Sequence, residues 1–251
     1  NAEAGTEERA QRIGPCKKHK VVVVGGGVGG MEAARRSAER GADVVLLEKN
    51  DHLGGTALAI ATPDWKYRFR EYIAWDVRQL EKLDVKIVLN ADVDVENEEL
   101  KNADRIFVAT GSVPLFPPIE GIRNKNVFNV LDVHKDESLI KGNQIVVCGG
   151  GMSGCELALE LAEAGKQVSV IEMKSRFATD AAAFNGMTLL TKMIKLGVKL
   201  CGDTKVKKFT EEGVVVEKDG EEITFPADTI VHAFGIRPNN TLAGELMKKY
   251  P

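Results

Sequence analysis

Val21-Val22-Val23-Val24-Gly25-Gly26-Gly27-Val28-Gly29-Gly30 is an apolar run that breaks into glycines and then continues as a helix. Four β-branched residues in a row read as a buried strand. Gly25, Gly27 and Gly30 match G-x-G-x-x-G. In that pattern the first glycine allows a tight turn, the second admits a pyrophosphate, and the third lets helix pack on strand. The helix that follows directs its N-terminal N–H groups at the phosphates. Glycine-rich turns also join strands to helices that bind nothing, so the pattern gains its weight from its surroundings.

Two further features supply that weight. Glu48 closes the next apolar run, Val44-Val45-Leu46-Leu47, 23 residues after Gly25. A carboxylate there accepts hydrogen bonds from an adenosine ribose diol. The whole arrangement then recurs at a constant offset of 124 residues. Ile145-Val146-Val147-Cys148 leads into Gly149, Gly151 and Gly154, and Val168-Ser169-Val170-Ile171 ends at Glu172. The same offset carries Ala109-Thr110-Gly111 onto Ala233-Phe234-Gly235, and Pro114 onto Pro238. The chain reads as two copies of one dinucleotide-binding unit.

Composition agrees with two ordinary domains in 251 residues: 43% hydrophobic and 28% charged residues are the balance of a globular protein. A formal net charge of −3 gives no basic field for nucleic acid or an anionic membrane. No apolar run reaches the roughly 18 residues of a membrane-spanning helix, and the polar first twenty residues are not a signal peptide. Cys16, Cys148, Cys155 and Cys201 form no C-x-x-C and no metal-ligand set. Cys148 and Cys155 read as small core residues, and the compartment as reducing, hence a cytoplasmic expectation. A disulfide reductase of this architecture would need a redox-active cysteine pair that this pattern lacks.

Along the chain, residues 1–19 read as a polar connector whose Lys17-Lys18-His19-Lys20 run solvates the approach to the first strand. A helix over 31–40 places Met31, Ala34 and Ala38 on one face and is ended by Gly41, and strand 43–48 follows. Residues 49–64, with Leu53-Gly54-Gly55-Thr56, read as a long functional loop. An amphipathic helix over 65–83 places Phe69, Ile73, Val77 and Leu80 on one face. Its aromatics, Trp65, Tyr67, Phe69, Tyr72 and Trp75, are expected in the core, with stacking on a flavin as the alternative. Short strands at 85–89 and 105–110 precede a connector marked by Pro114, Pro117 and Pro118, then a small strand and helix within 127–140. The second copy predicts strands at 144–148, 167–172, 198–201 and 228–234, and helices at 152–164 and 183–196. The alternation from 204 to 225 is that of an antiparallel meander, and a last helix begins near Thr241. His232 is expected as a buried core histidine.

Taken together, Gly25-x-Gly27-x-x-Gly30, Glu48, Leu53-Gly54-Gly55, Ala109-Thr110-Gly111, Gly149-x-Gly151-x-x-Gly154, Glu172 and Gly235-Ile236-Arg237-Pro238-Asn239 resemble the two-dinucleotide-binding-domain flavoproteins. Over about residues 20–245 the chain is most similar to the C-terminal part of the NADH:flavin oxidoreductases related to Old Yellow Enzyme. That group includes dienoyl-CoA reductases, enoate reductases and trimethylamine dehydrogenase. Glu32-Ala33-Ala34-Arg35 and the lack of a cysteine pair fit this group.

The resemblance implies an α/β fold of two Rossmann-like three-layer domains with central parallel sheets, each with a small antiparallel meander or crossover. It implies a domain for FAD, or ADP without flavin, over 20–125, a domain for NAD(P)H over 126–240, and a return segment over 241–251. Carried over by position, Gly25, Gly27 and Gly30 face the FAD pyrophosphate and Glu48 its ribose, with Gly54, Gly55, Thr110 and Gly111 nearby. Gly149, Gly151, Gly154, Glu172 and Gly235 serve the nicotinamide dinucleotide. NADH is preferred because the Glu172 charge repels a 2′-phosphate; Lys174 and Arg176 keep NADPH open. In the family an N-terminal barrel carries FMN and an iron–sulfur cluster, and the chain finally returns to the first domain in a strand ending Gly-Asp. This sequence contains neither, and reads as a fragment that passes hydride from NADH to FAD for that barrel. The cofactors carry the chemistry, so no catalytic side chain and no metal ligand are nominated. Two other readings remain: an ADP-binding module without flavin chemistry, and a flavoprotein of the ferredoxin or rubredoxin reductase type.

Overall fold

The computed structural model describes Gly5 and residues 18–249, so nearly all of the connector read over 1–19, and Cys16 with it, lies outside the described residues. The chain divides into two compact units, Asn1–Ser112 with Pro238–Pro251, and Val113–Arg237.

The first unit is a parallel sheet with helices on it. Its strands are β1 (Lys20–Val24), β2 (Asp43–Leu47), β3 (Lys86–Val88) and β4 (Arg105–Val108), in the order β3-β2-β1-β4. Its helices are α1 (Val28–Glu39), α2 (Gly55–Ala59), α3 (Tyr67–Lys82) and α4 (Glu98–Lys101). Val21 to Val24 are all buried because β1 lies between β2 and β4 and is covered on both faces. Val21, Val23, Leu46, Met31, Ala34, Ile73 and Leu80 make one layer of core. Val22, Val24, Val45 and Leu47 face the other way, onto Leu100, Leu242 and Leu246.

The second unit begins from β5 (Ser112–Pro114), followed by β6 (Val127–Asn129) and α5 (Val130–Lys135). Then come β7 (Gln144–Cys148), α6 (Met152–Glu163), β8 (Gln167–Ile171), α7 (Ala183–Lys195) and β9 (Lys199–Cys201). β10 (Lys205–Phe209), β11 (Gly213–Lys218) and β12 (Glu221–Pro226) form the antiparallel meander, and β13 (Thr229–His232) closes the five-stranded parallel sheet β6-β13-β7-β8-β9. One face of that sheet packs on α6 and α7 through Val147, Val170, Leu159 and Met193. The other packs on the meander through Val146, Ile230, Phe209, Val214 and Val216. β14 (Ile236–Pro238) pairs with β5, and α8 (Thr241–Lys249) supplies the Leu242 and Leu246 of the first unit's core. His232 and the Cys148 and Cys155 thiols are buried as expected.

Two expectations change. The glycine-rich stretch 49–64 is not a plain loop: α2 and a short 3-10 turn, Asp64–Lys66, occupy it. α3 meets the expected face at Ile73, Val77 and Leu80 but not at Phe69. It buries Ile73, Asp76 and Leu80 and leaves Tyr67, Phe69, Tyr72 and Trp75 exposed, as is Trp65 in the turn before it. The aromatics are instead partly covered by cations, with Arg35 over Trp75 and Arg68 over Tyr67.

Asp76 is the acidic residue among those that α3 buries. Neither of its oxygens has a hydrogen-bond partner, and the Arg35 guanidinium, itself shared with Glu32 and Glu39, stands 3.6 Å away. Burial, reinforced by Glu32 and opposed by Arg35, pushes its carboxyl above the usual range. A carboxyl whose folded value is raised destabilises the fold as pH climbs past its unfolded value, near 4, and that cost disappears below it. Asp76→Asn is therefore expected to raise stability at pH 7 by about 1 kcal/mol. It should also flatten the pH dependence of the melting temperature above pH 4; a lower melting temperature at pH 7 would contradict this.

Candidate functional site

Each unit builds the same junction at the carboxyl end of its first strand. Gly25 donates to the Leu47 carbonyl at 2.8 Å and Gly149 to the Ile171 carbonyl at 2.8 Å. The Ala109 N–H donates to the Val24 carbonyl at 2.8 Å, and that of Ala233 to the Cys148 carbonyl at 2.7 Å. Gly25 and Gly149 turn the chain at φ +105° and +115°. A Cβ there would stand 2.3 Å from the Ala109 oxygen or 2.4 Å from the Ala233 oxygen. Gly30 and Gly154 are pinned from the other side, where a Cβ would meet the Gly25 and Gly149 oxygens at 1.8 and 2.0 Å. Only hydrogen fits at these four positions. Gly27 differs, since a Cβ there meets nothing within 4 Å, so its lack of a side chain keeps open the space before the α1 N-terminus.

The strand-end carboxylates hold the turn. Glu48, 4% exposed, accepts from the Gly26 N–H at 2.6 Å and from the Asn50 backbone at 2.8 Å and side chain at 2.6 Å. Glu172, half-buried, accepts from the Gly150 N–H at 2.7 Å and the Lys174 N–H at 3.0 Å. A carboxylate has about four lone-pair sites. Glu172 therefore keeps more acceptor capacity for a diol, whereas Glu48 must loosen Asn50 to present as much.

A strap crosses each turn. In the first unit the Gly54 N–H donates to the Gly26 carbonyl at 2.9 Å, and bare backbone at Gly54 and Gly55 lies against Gly27. In the second, the Ala178 N–H donates to the Gly150 carbonyl at 2.7 Å, Phe177 covers Gly150, and the Asp180 carboxylate accepts from the Met152 N–H at 2.8 Å. Gly111 accepts from the Asn239 N–H at 2.9 Å and the Thr110 hydroxyl donates to the Asn239 carbonyl at 2.8 Å, so both serve the chain's return. Gly235, at φ +96°, accepts from Leu115 at 3.0 Å.

Residues the motif does not name belong to this geometry. Gly26 and Gly150 donate to the carboxylates and have no room for a side chain, which the run of three glycines in both copies signals. Phe177, Ala178 and Asp180 are reached by carrying the offset of 124 into the straps, where Leu53, Gly54 and Thr56 correspond to them; Asn50 lies two residues after Glu48 and bonds it. Burial pushes the Cys155 thiol pKa up to about 12 and raises Cys148 and Cys201 as well, and the described cysteines are unbridged.

Helix N–H groups facing a glycine turn, with a carboxylate one strand away, offer donors to a pyrophosphate and acceptors to a ribose; two such junctions define a two-unit dinucleotide-binding flavoprotein fold. The chain belongs to the pyridine nucleotide-disulphide oxidoreductase family, which it matches over residues 19–250. That family binds FAD and NAD(P)H. The chain is 37% identical to a bilirubin reductase of Mediterraneibacter gnavus over 239 residues, covering 95% of this chain and 37% of the relative. It is 37% identical to a cinnamate reductase of Clostridium sporogenes, covering 92% and 35%. Among solved structures, a 2-naphthoyl-CoA reductase superposes with a TM-score of 0.89 at 34% identity, covering 98% of this chain and 38% of that one. The chain thus spans little more than a third of the length of these relatives.

Gly25→Ala is expected to cost about 3 kcal/mol of stability, because the left-handed turn and the contact with Ala109 oppose it together. Gly27→Ala is expected to stay within about 1 kcal/mol of wild type while weakening a bound dinucleotide. Equal melting temperatures for the two variants would contradict the assignment.

Proposed function

We propose that the chain is the nucleotide-binding part of an NAD(P)H-dependent flavin oxidoreductase, with FAD (or ADP) on the first unit and NADH on the second. The single observation that supports it most is the duplicated junction: the same glycine-to-carbonyl, carboxylate-to-glycine and strap-to-glycine bonds occur at both ends of the 124-residue offset. The FAD pyrophosphate lies over Gly25, Gly27 and Gly30, with Glu48 at its ribose and Gly54, Gly55, Thr110 and Gly111 around it. Gly149, Gly151, Gly154, Glu172 and Gly235 do the same for NADH. The cofactors, when bound, supply the redox chemistry, a hydride passing from nicotinamide to flavin; the protein binds, orients and shields them. Glu172 selects NADH, since its free lone pairs suit a 2′-hydroxyl and its charge repels a 2′-phosphate.

In this reading the electrons pass on to an FMN and iron–sulfur barrel, the N-terminal part of a longer protein. Relatives named as reductases, of which the matched segment is a little over a third, support it. A cytoplasmic location is part of the same proposal. The free cysteines support it, and among the described residues no helix is long and apolar enough to cross a membrane.

The test is anaerobic addition of NADH to the FAD-loaded chain. Loss of the flavin's visible absorbance in proportion to NADH is expected. Uptake of FAD or ADP with no bleaching by either coenzyme would favour a nucleotide-binding module instead. Glu172→Gln is expected to narrow the preference for NADH over NADPH by about tenfold, roughly 1.4 kcal/mol; an unchanged ratio would remove Glu172 from the selectivity.

A further inference from the structure

The two straps are equivalent by the offset of 124 residues, yet they bring different chemistry to the helix N-terminus. In the first unit the strap is Leu53-Gly54-Gly55-Thr56. Among the described residues no acid is recorded against the first N–H of α1. In the second unit Phe177-Ala178-Thr179-Asp180 replaces it, and the Asp180 Oδ1 takes the N–H of Met152, the first residue of α6, at 2.8 Å. The same carboxylate stands where a side chain on Gly151 would point, 3.4 Å from its Cβ position. An anion of the protein thus occupies the place where the pattern puts an anion of the ligand.

We propose that Asp180 is an internal competitor for the pyrophosphate of the nicotinamide dinucleotide, displaced each time the coenzyme binds and returning as it leaves. The inference rests on the assignment of the second unit to that coenzyme. Its physical basis is exchange of like for like: a charge-assisted hydrogen bond to Met152 is given up as another forms, so net affinity falls. Two features let the carboxylate leave without unfolding the turn. The strap is held elsewhere, by the Ala178 N–H on Gly150 at 2.7 Å and by Phe177 over Gly150. Asp180 itself is exposed, and a cleft of about 560 Å³, lined by Arg176, Phe177, Thr179, Met187 and Leu190 among others, lies between strap and α7.

The consequence is a division of labour between the copies. A cofactor that stays bound through turnover gains from a helix N-terminus without a rival. A coenzyme that enters and departs in every cycle gains from one that hastens its release, since dissociation sets many turnover rates.

The experiment is titration of the full chain, wild type and Asp180→Asn, with NADH and with ADP-ribose, together with stopped-flow release, at low and high salt. Asp180→Asn is expected to bind both ligands about tenfold tighter and to release NADH correspondingly more slowly. The ratio between the two proteins should persist at 1 M salt, where a through-solvent repulsion is screened beyond roughly 3 Å. The converse variant Thr56→Asp should weaken FAD or ADP on the first unit by a similar factor. Equal affinities and release rates, or a ratio that vanishes at high salt, would overturn the competitor while leaving the coenzyme site in place. Failure of both proteins to bind either ligand would overturn the site assignment and the inference built on it.

Discussion

A carboxylate at the end of the second strand, bonded to a backbone N–H of a glycine turn, is the constraint on which each half of this protein depends. Glu48 holds Gly26 and Glu172 holds Gly150, at 2.6 and 2.7 Å. The bond ties the turn after the first strand to the strand beside it. That in turn fixes where the helix starts; in the second unit the first helical N–H, that of Met152, is taken by Asp180. A carboxylate in this position would be a costly burial without partners. Here it is supplied with backbone donors in both units.

Much of this was legible in the sequence because the constraint is steric and repeats. Gly25, Gly30, Gly149 and Gly154 each lack room for a methyl group, so the pattern survives as residue identity. Glu48 and Glu172 follow at fixed distance because a strand of given length separates them from the turn. The straps were harder to see, since a backbone N–H to a carbonyl leaves no signature in residue type, and Gly54 and Ala178 do the same job at φ +110° and +49°. Asp180 acts through its side chain, but the strap equivalent to it in the first unit carries Thr56, so the repeat does not mark it; Gly26 and Gly150 stand where the motif leaves the position open. α3 was misjudged for a different cause. Counting apolar residues puts Phe69, Ile73, Val77 and Leu80 inward; Ile73, Leu80 and the half-buried Val77 do pack on the core, whereas Phe69 is exposed with the other aromatics and the Asp76 carboxylate is buried beside them. A buried charge beside Arg35 is invisible to hydrophobic periodicity.

The two units also show how one junction is kept while its support changes. In the first, the far face of the sheet is covered by Leu100, Leu242 and Leu246, the last two from the end of the described chain. In the second, the antiparallel meander covers it through Phe209, Val214 and Val216. Neither cover reaches the glycine turn, so the support can differ while the turn does not. What separates the copies functionally lies in the strap: bare glycine backbone in one, a carboxylate in the other.

The central claim is that two equivalent dinucleotide sites lie on one chain, each governed by its own strand-end carboxylate. Calorimetric titration with ADP-ribose, a pyrophosphate ligand common to both halves, of the wild type and of Glu48→Ala and Glu172→Ala tests it most directly. Two sites per chain are predicted for the wild type, and a different single site lost in each variant. One site in the wild type, or two undiminished sites in either variant, would contradict the account.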